Sequence, residues 1–148
     1  MEFSRAIVIF GATGDLARRM LCPSLYFLEQ DGLLPQQFAI VGCARSEMSD
    51  DKFASTIEAA VRARAGGDFS AETWARLRTR LRYAAVDATN DASFANLSGA
   101  MGSLRDAIFY LSTSPAFFGL ICHQLKEHGL VQSGSRVMVE KPLGHDLA

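Results

Sequence analysis

Residues 9–20 read IFGATGDLARRM, and the fold turns on how this stretch is read. An apolar run ends in Gly11, a second glycine follows at Gly14, and Asp15, Leu16 and Ala17 lead into Arg18 and Arg19. A turn from strand to helix needs one glycine. A second one three residues on is useful where the backbone must approach something closely, because glycine puts no Cβ in the way. At the start of a helix, unpaired N–H groups and the positive end of the macrodipole suit that place to a phosphate. The stretch therefore reads as a cradle for a dinucleotide pyrophosphate. Gly11 makes the sharp turn out of the strand, Gly14 admits the phosphate, and Ala17 keeps helix and strand close. The spacing departs from G-x-G-x-x-G by placing Thr13 at the second glycine, where its hydroxyl can itself donate to a phosphate. The competing reading is a plain tight turn; a strand before the glycines and a helix after them favour the cradle.

Working outward, apolar runs of strand length alternate with helical patterns. Residues 6–10 (AIVIF) form a continuous apolar run, as expected of a strand buried on both faces of a parallel sheet. Leu21, Leu25 and Leu28 follow at helical spacing, ending near Gly32. Residues 38–42 (FAIVG) read as a second strand. Ser49 caps a helix lined by Phe53, Ile57 and Val61 and stopped by Gly66 and Gly67. Trp74, Leu77 and Leu81 mark another helix, residues 83–86 (YAAV) a weaker third strand, and a short helix follows Asn90. Residues 107–112 (AIFYLS) are a fourth strand. Thr113 or Ser114 then caps a helix with Pro115 in its first turn, Phe117, Ile121 and Leu125 on its core face, and Gly129 at its stop. Residues 136–140 (RVMVE) are a fifth strand. Five strands with helices between them imply parallel strands and right-handed crossovers, which is a doubly wound α/β sheet of Rossmann type.

Composition limits what these motifs can mean. The chain has 148 residues, 49% hydrophobic and 21% charged, in the range of one ordinary soluble domain with room for one core, and the glycine motif makes residues 1–148 a dinucleotide-binding domain in this reading. A formal net charge of −1 removes the basic field on which non-specific nucleic-acid binding relies. The arginines of RLRTRLR, residues 76–82, would spread around a helix as a solvated face. Three cysteines, Cys22, Cys43 and Cys122, form no CxxC pair and sit in apolar contexts that suit small buried hydrophobes, consistent with a reducing, cytoplasmic compartment. Neither a signal sequence nor a run of membrane-spanning length is expected.

The second strand's tip reads VGCARSE. Sites that hold NAD place an acidic residue there for the ribose 2′-hydroxyl, whereas the first charged residue here is Arg45. A guanidinium makes paired, charge-assisted hydrogen bonds to a 2′-phosphate, which favours NADP. Ser46 could add a hydroxyl, and Glu47 should point away. Directly after the fifth strand comes EKPLG, which puts Lys141, one of three lysines, at the carboxyl edge where open α/β sheets bind ligands. On spacing alone, an ordinary loop is an equal reading.

GATGDLA after the first strand, AIVGCAR at the second, IFYLSTSP at the fourth and EKPLG at the fifth resemble, in order and spacing, the N-terminal coenzyme domain of the glucose-6-phosphate dehydrogenase family. The resemblance runs from about Ile7 to Gly144. It implies that Gly11, Ala12, Thr13, Gly14, Asp15 and Leu16 cradle the NADP phosphates, that Arg45 holds the 2′-phosphate, and that Asp87 and Ala88 lie on the adenine side. Lys141 would touch both nicotinamide and sugar, and Pro142 would be cis. The implied parent activity is oxidation of glucose 6-phosphate at C1 to 6-phosphogluconolactone by hydride transfer to NADP, in the pentose phosphate pathway, by a homo-oligomer that binds neither nucleic acid nor membrane.

Two departures bear on this. The family carries three basic residues after GDLA, the third a lysine near substrate, where this chain has Met20. The family's substrate-phosphate segment, its histidine base, its substrate domain and a further strand beside the fifth would lie beyond Ala148. The expectations are therefore no catalytic residue within these residues, no turnover by this chain alone, and an outer strand at residues 136–140 that promotes association. His123, His128 and His145 match no part of the catalytic motif, and no metal is implied. Two other readings remain. One is an atypical short-chain dehydrogenase, although Tyr26, Tyr83 and Tyr110 lack a lysine four residues on. The other is a module that senses NADP without reducing it.

Overall fold

The computed structural model describes residues 5–139. Five strands, β1 (Ala6–Phe10), β2 (Ala39–Ala44), β3 (Leu81–Ala85), β4 (Ile108–Leu111) and β5 (Arg136–Val139), form one parallel sheet in the order β3-β2-β1-β4-β5. The helices are α1 (Cys22–Gln30), α2 (Asp50–Ala65), α3 (Ala71–Arg78), α4 (Phe94–Met101) and α5 (Phe118–Glu127). This is the doubly wound arrangement the alternation of runs implied. None of the helices among the described residues is long and apolar enough to cross a membrane.

The strand period of two sends alternate residues to opposite faces, and β1 shows why it must be apolar throughout. Ala6, Val8 and Phe10 pack with Phe94, Leu97, Ile121 and Leu125 of α4 and α5. Ile7 and Ile9 pack with Leu25, Tyr26, Phe53, Ile57 and Trp74 of α1, α2 and α3. Each face is a separate core, and the sheet is their shared wall. Gly42 marks one contact between layers: a Cβ there would run into the ring of Phe53.

The helix signals operate as read at α2. Ser49 accepts a hydrogen bond from the Lys52 N–H at 3.0 Å, Phe53, Ile57 and Val61 are buried, and Gly66 ends the helix with φ +57°. Four expectations are corrected. Before α1 the chain makes a π-helical turn, Ala17–Leu21, whose extra residue shifts the phase so that Cys22, Leu25, Tyr26 and Glu29 face inward and Leu28 faces out. Leu81 belongs to β3, not to the preceding helix, because it pairs with Ile40. Cys122 is exposed, since α5 buries Ile121, Gln124 and Leu125 and residue 122 points away from them. Phe117 lies in a 3-10 turn before α5, off its core face, and is 39% exposed.

The arginine run is also not a solvated face, because α3 ends at Arg78 and the chain turns into β3. Arg80 Nε bonds the Glu29 carboxylate, and its guanidinium also donates to the carbonyls of Pro35 at 2.7 Å and Phe38 at 2.8 Å. Arg76 reaches the other Glu29 oxygen at 3.4 Å. Glu29 is buried, so this cluster ties the end of α1 to the starts of β2 and β3. We predict that Arg80→Ala, which leaves the buried carboxylate only its longer contact with half-exposed Arg76, lowers stability in urea unfolding by about 3 kcal/mol. Arg76→Ala, with a half-exposed side chain, should cost under about 1 kcal/mol. Equal, small losses would contradict this account.

Candidate functional site

The strand order reverses beside β1: β2 and β3 lie on one side, β4 and β5 on the other. Such a switch point opens a crevice at the carboxyl ends of the strands. Gly11 sits in it. Its N–H and that of Ala12 both donate to the Cys43 carbonyl, at 2.9 and 3.1 Å. Gly11 has φ +84°, and a Cβ there would collide with the Ser112 carbonyl oxygen at the tip of β4. Only glycine can make this turn. Gly14 follows, donating to the Gly11 carbonyl at 2.9 Å, and an added Cβ would stand 3.1 Å from that same oxygen.

The loop's hydrogen bonds decide which amides can meet a ligand. Those of Gly11 and Ala12 are committed to Cys43, and the helical ladder resumes with Arg18 N–H donating to Gly14 at 3.1 Å. Among the described residues, the N–H groups of Thr13, Asp15 and Leu16 have no backbone acceptor. They stand at a helix start, where an anion is stabilised. Arg18 Nε donates to the Thr13 carbonyl at 3.0 Å and steadies the loop from behind.

A groove of about 410 Å³ lies over this loop. Its floor includes Phe10, Cys43 and Val86, and Gly11, Thr13 and Gly14 form one wall. Arg45, the first residue after β2, lines it together with Asp87, Ala88 and Thr89, which follow β3. Burial pushes the Cys43 thiol up, so the sulfur at the floor stays neutral and packs rather than attacks. Asp87 accepts from the Thr89 N–H at 2.9 Å and the Thr89 hydroxyl at 2.7 Å. The Thr89 N–H first, then its hydroxyl, hold the Asp87 carboxyl below its ordinary 3.8; Arg45 adds a smaller push the same way. A depressed carboxyl stabilises the turn above its ordinary value and loses that effect as pH falls through the folded value, so the turn is intact at neutral pH.

The structure thus brings Gly11, Thr13, Gly14, Arg45, Asp87 and Ala88 to one groove. Ala12 lies buried beneath the loop, and the Asp15 side chain pairs with Arg19 at 2.9 Å on the surface. Lys141, Pro142 and His145 lie outside the described residues. His123 is exposed, while His128 bonds Asp91 at 2.9 Å and stacks on Phe94. The described residues contain no group of three or more His, Cys, Asp or Glu that could hold a metal. Sequence reading missed Thr89, Ser112, Thr113 and Phe117 as lining groups. For Ser112 and Thr113 the signal was present, because they end the strand across the switch point from β1. Met20 is half exposed and so not a core methionine; it lines a second, wider groove of about 700 Å³ with Arg18, Arg19 and Arg64.

The sequence model of the family described as glucose-6-phosphate dehydrogenase, NAD binding domain, matches residues 8–148. The chain is 39% identical to the glucose-6-phosphate 1-dehydrogenase of Mycolicibacterium smegmatis, over 95% of this chain and 30% of that protein. It is 42% identical to the enzyme of the same name from Zymomonas mobilis, over 96% of this chain and 30% of that one. The crystal structure of glucose-6-phosphate 1-dehydrogenase from Mycobacterium avium superposes with a TM-score of 0.85 at 35% identity, over 97% of this chain and 31% of the other. A glucose-6-phosphate dehydrogenase in complex with glucose 6-phosphate gives a TM-score of 0.80 at 27% identity, over 98% and 32%. The chain thus spans about 30% of the length of the curated relatives it matches.

Gly11 and Gly14 should respond differently to substitution. Gly14→Val fills the space before the open amides and is expected to abolish dinucleotide binding in calorimetric titration while the far-ultraviolet circular dichroism is kept. Gly11→Ala must adopt a left-handed conformation costing about 1–2 kcal/mol and also meets Ser112, so it should lower the unfolding midpoint as well. A Gly14→Val chain that binds normally would reduce the loop to a turn.

Proposed function

The chain belongs to the glucose-6-phosphate dehydrogenase NAD-binding-domain family, and we propose that it is the NADP-binding part of an enzyme that oxidises glucose 6-phosphate to its lactone. The observation that carries the choice of coenzyme is Arg45 sharing one groove with the glycine loop. The residues fit the group: the amides of Thr13, Asp15 and Leu16 can receive a pyrophosphate, and Gly14 leaves room for it. When bound, the nicotinamide supplies the hydride acceptor, and the protein's work is to place it.

Within that reading, Arg45 forks onto the ribose 2′-phosphate, an interaction a neutral ribose cannot return. Asp87, whose Oδ1 accepts both Thr89 bonds, shapes the turn on the adenine side. Ala88 offers the adenine a small apolar contact. Lys141 is proposed to meet both nicotinamide and sugar from just past β5. Met20 carries no charge, so any anionic sugar group nearby must be met by other cations, and Arg19 and Arg64 line the same groove. The proton acceptor and the sugar-phosphate site are assigned to the remaining part of an enzyme of the relatives' length. Such a chain should form reduced nicotinamide from glucose 6-phosphate, followed by absorbance, and this one alone should not.

Assembly and compartment are part of the proposal. Val137, Met138 and Val139 of β5, the outermost strand among the described residues, are each about half exposed, which supports self-association of this chain. Sedimentation should show assemblies, and a monomer at every concentration would contradict them. Buried Cys22 and Cys43 are unpaired, as in a reducing cytoplasm, which cell fractionation can check.

Arg45→Ala tests the coenzyme assignment. Titration of the unmutated chain should show NADP bound more tightly than NAD. The substitution should remove most of that difference, about 1.5–3 kcal/mol of charged hydrogen bonding. Equal affinities in the unmutated chain would end the NADP reading.

A further inference from the structure

The loop that carries Arg45 is held from beneath by a side chain outside the groove. Tyr83 lies on β3, buried, with its ring 5.3 Å from that of Phe53. Its hydroxyl donates to the carbonyl of Ser46 and, at 3.1 Å, to that of Ala44. A hydroxyl has one proton, so the two carbonyls share it. They belong to the residues on either side of Arg45. The segment has few other restraints: Arg45, Ser46 and Glu47 are all exposed, and the next helix starts at Asp50. The Val86 N–H, just past β3, fixes Ala44 at 2.9 Å and Met48 packs against the core, so among the hydrogen bonds of the described residues Tyr83 makes the one that reaches Ser46, directly past Arg45. Burial first, then the neighbouring Cys43 and Glu47, push the Tyr83 phenol above its ordinary 10.0 against the opposing pull of the Ala44 bond. The group keeps its proton at neutral pH and remains a donor.

We propose that Tyr83 is a positioning residue for coenzyme choice: by clamping the carbonyls of Ala44 and Ser46 it presents Arg45 to a ribose 2′-phosphate. The proposal rests on the reading of Arg45 as the ligand of that phosphate. An arginine on a loose loop must be ordered when it binds, and that cost subtracts from the affinity; a loop already ordered avoids it. The clamp bears on the 2′-phosphate through Arg45, so it should matter far more for NADP than for NAD.

Tyr83→Phe deletes the hydroxyl and keeps the ring against Phe53. NADP and NAD are titrated against the unmutated chain, Tyr83→Phe, Arg45→Ala and the double variant, with urea unfolding of each. Tyr83→Phe is expected to weaken NADP about fivefold, the effect of one net hydrogen bond, and to leave NAD within about twofold. In the Arg45→Ala background it should add nothing, because the two changes remove one interaction. Equal weakening of both coenzymes, with a lower unfolding midpoint, would assign Tyr83 a structural role and overturn the proposal. A preference for NADP that depends on Arg45 but survives Tyr83→Phe overturns the clamp alone. Absence of any such preference in the unmutated chain overturns the Arg45 reading and the clamp with it. A measurement without a variant follows from reciprocity: if the clamp favours phosphate binding, phosphate binding stabilises the clamp equally. Under conditions where reclosing outruns exchange, so that the rate reports the opening equilibrium, hydroxyl exchange at Tyr83, followed by nuclear magnetic resonance on carbon-13 tyrosine, should be about fivefold slower in the NADP complex than in the NAD complex. Equal rates would contradict the proposal even if Tyr83→Phe failed to fold.

Discussion

The carboxyl edge of this sheet depends on the carbonyl of Cys43, which accepts hydrogen bonds from the N–H groups of Gly11 and Ala12. Those two bonds turn the chain out of β1 and anchor the loop on the tip of β2. From the other side the Ser112 carbonyl leaves no room for a Cβ at Gly11, so the tips of β1, β2 and β4 meet at one glycine. With the loop pinned there, the Gly14 N–H turns back to the Gly11 carbonyl, and among the described residues the amides of Thr13, Asp15 and Leu16 are left without a backbone acceptor. The open N–H groups of Thr13, Asp15 and Leu16 result from the same two bonds that commit Gly11 and Ala12.

The other edge of the sheet carries a different burden. Glu29, Arg80 and the carbonyls of Pro35 and Phe38 join α1, β2 and β3 at their far ends, away from the groove. Between the edges lie two apolar cores, one on each face. Packing and a buried ion pair hold the scaffold, while exposed loops at the carboxyl edge hold the groups that can meet a ligand. This separation lets Arg45 and Thr89 be polar and accessible without exposing the core.

Much of the fold is legible because a strand buried on both faces has to be apolar at every position. Residues 6–10 could be assigned to the residue on that ground. The errors fall where helical and other periods coincide. Leu81 stands four residues after Leu77 but belongs to a strand, and pairing with Ile40 decides the matter. Phe117 stands four before Ile121, yet Ser114 and Pro115 start a 3-10 turn that carries it into the groove instead of the core. In the site, the glycine loop and Arg45 were legible because each sits at the tip of a recognisable strand. The Tyr83 clamp was not: its partner Ser46 is 37 residues away, and only the pairing of β2 with β3 brings them together.

The central claim, a dinucleotide held by the glycine loop and Arg45, is tested most directly by amide nuclear magnetic resonance during NADP titration of the isotope-labelled chain. The account predicts the largest shifts at the amides of Thr13, Asp15 and Leu16 and in the loops around Arg45 and from Asp87 to Thr89. It also predicts that NAD reproduces the first set and not the shifts at Arg45. Shifts centred on the groove of Arg19, Met20 and Arg64, or none at the glycine loop, would contradict it.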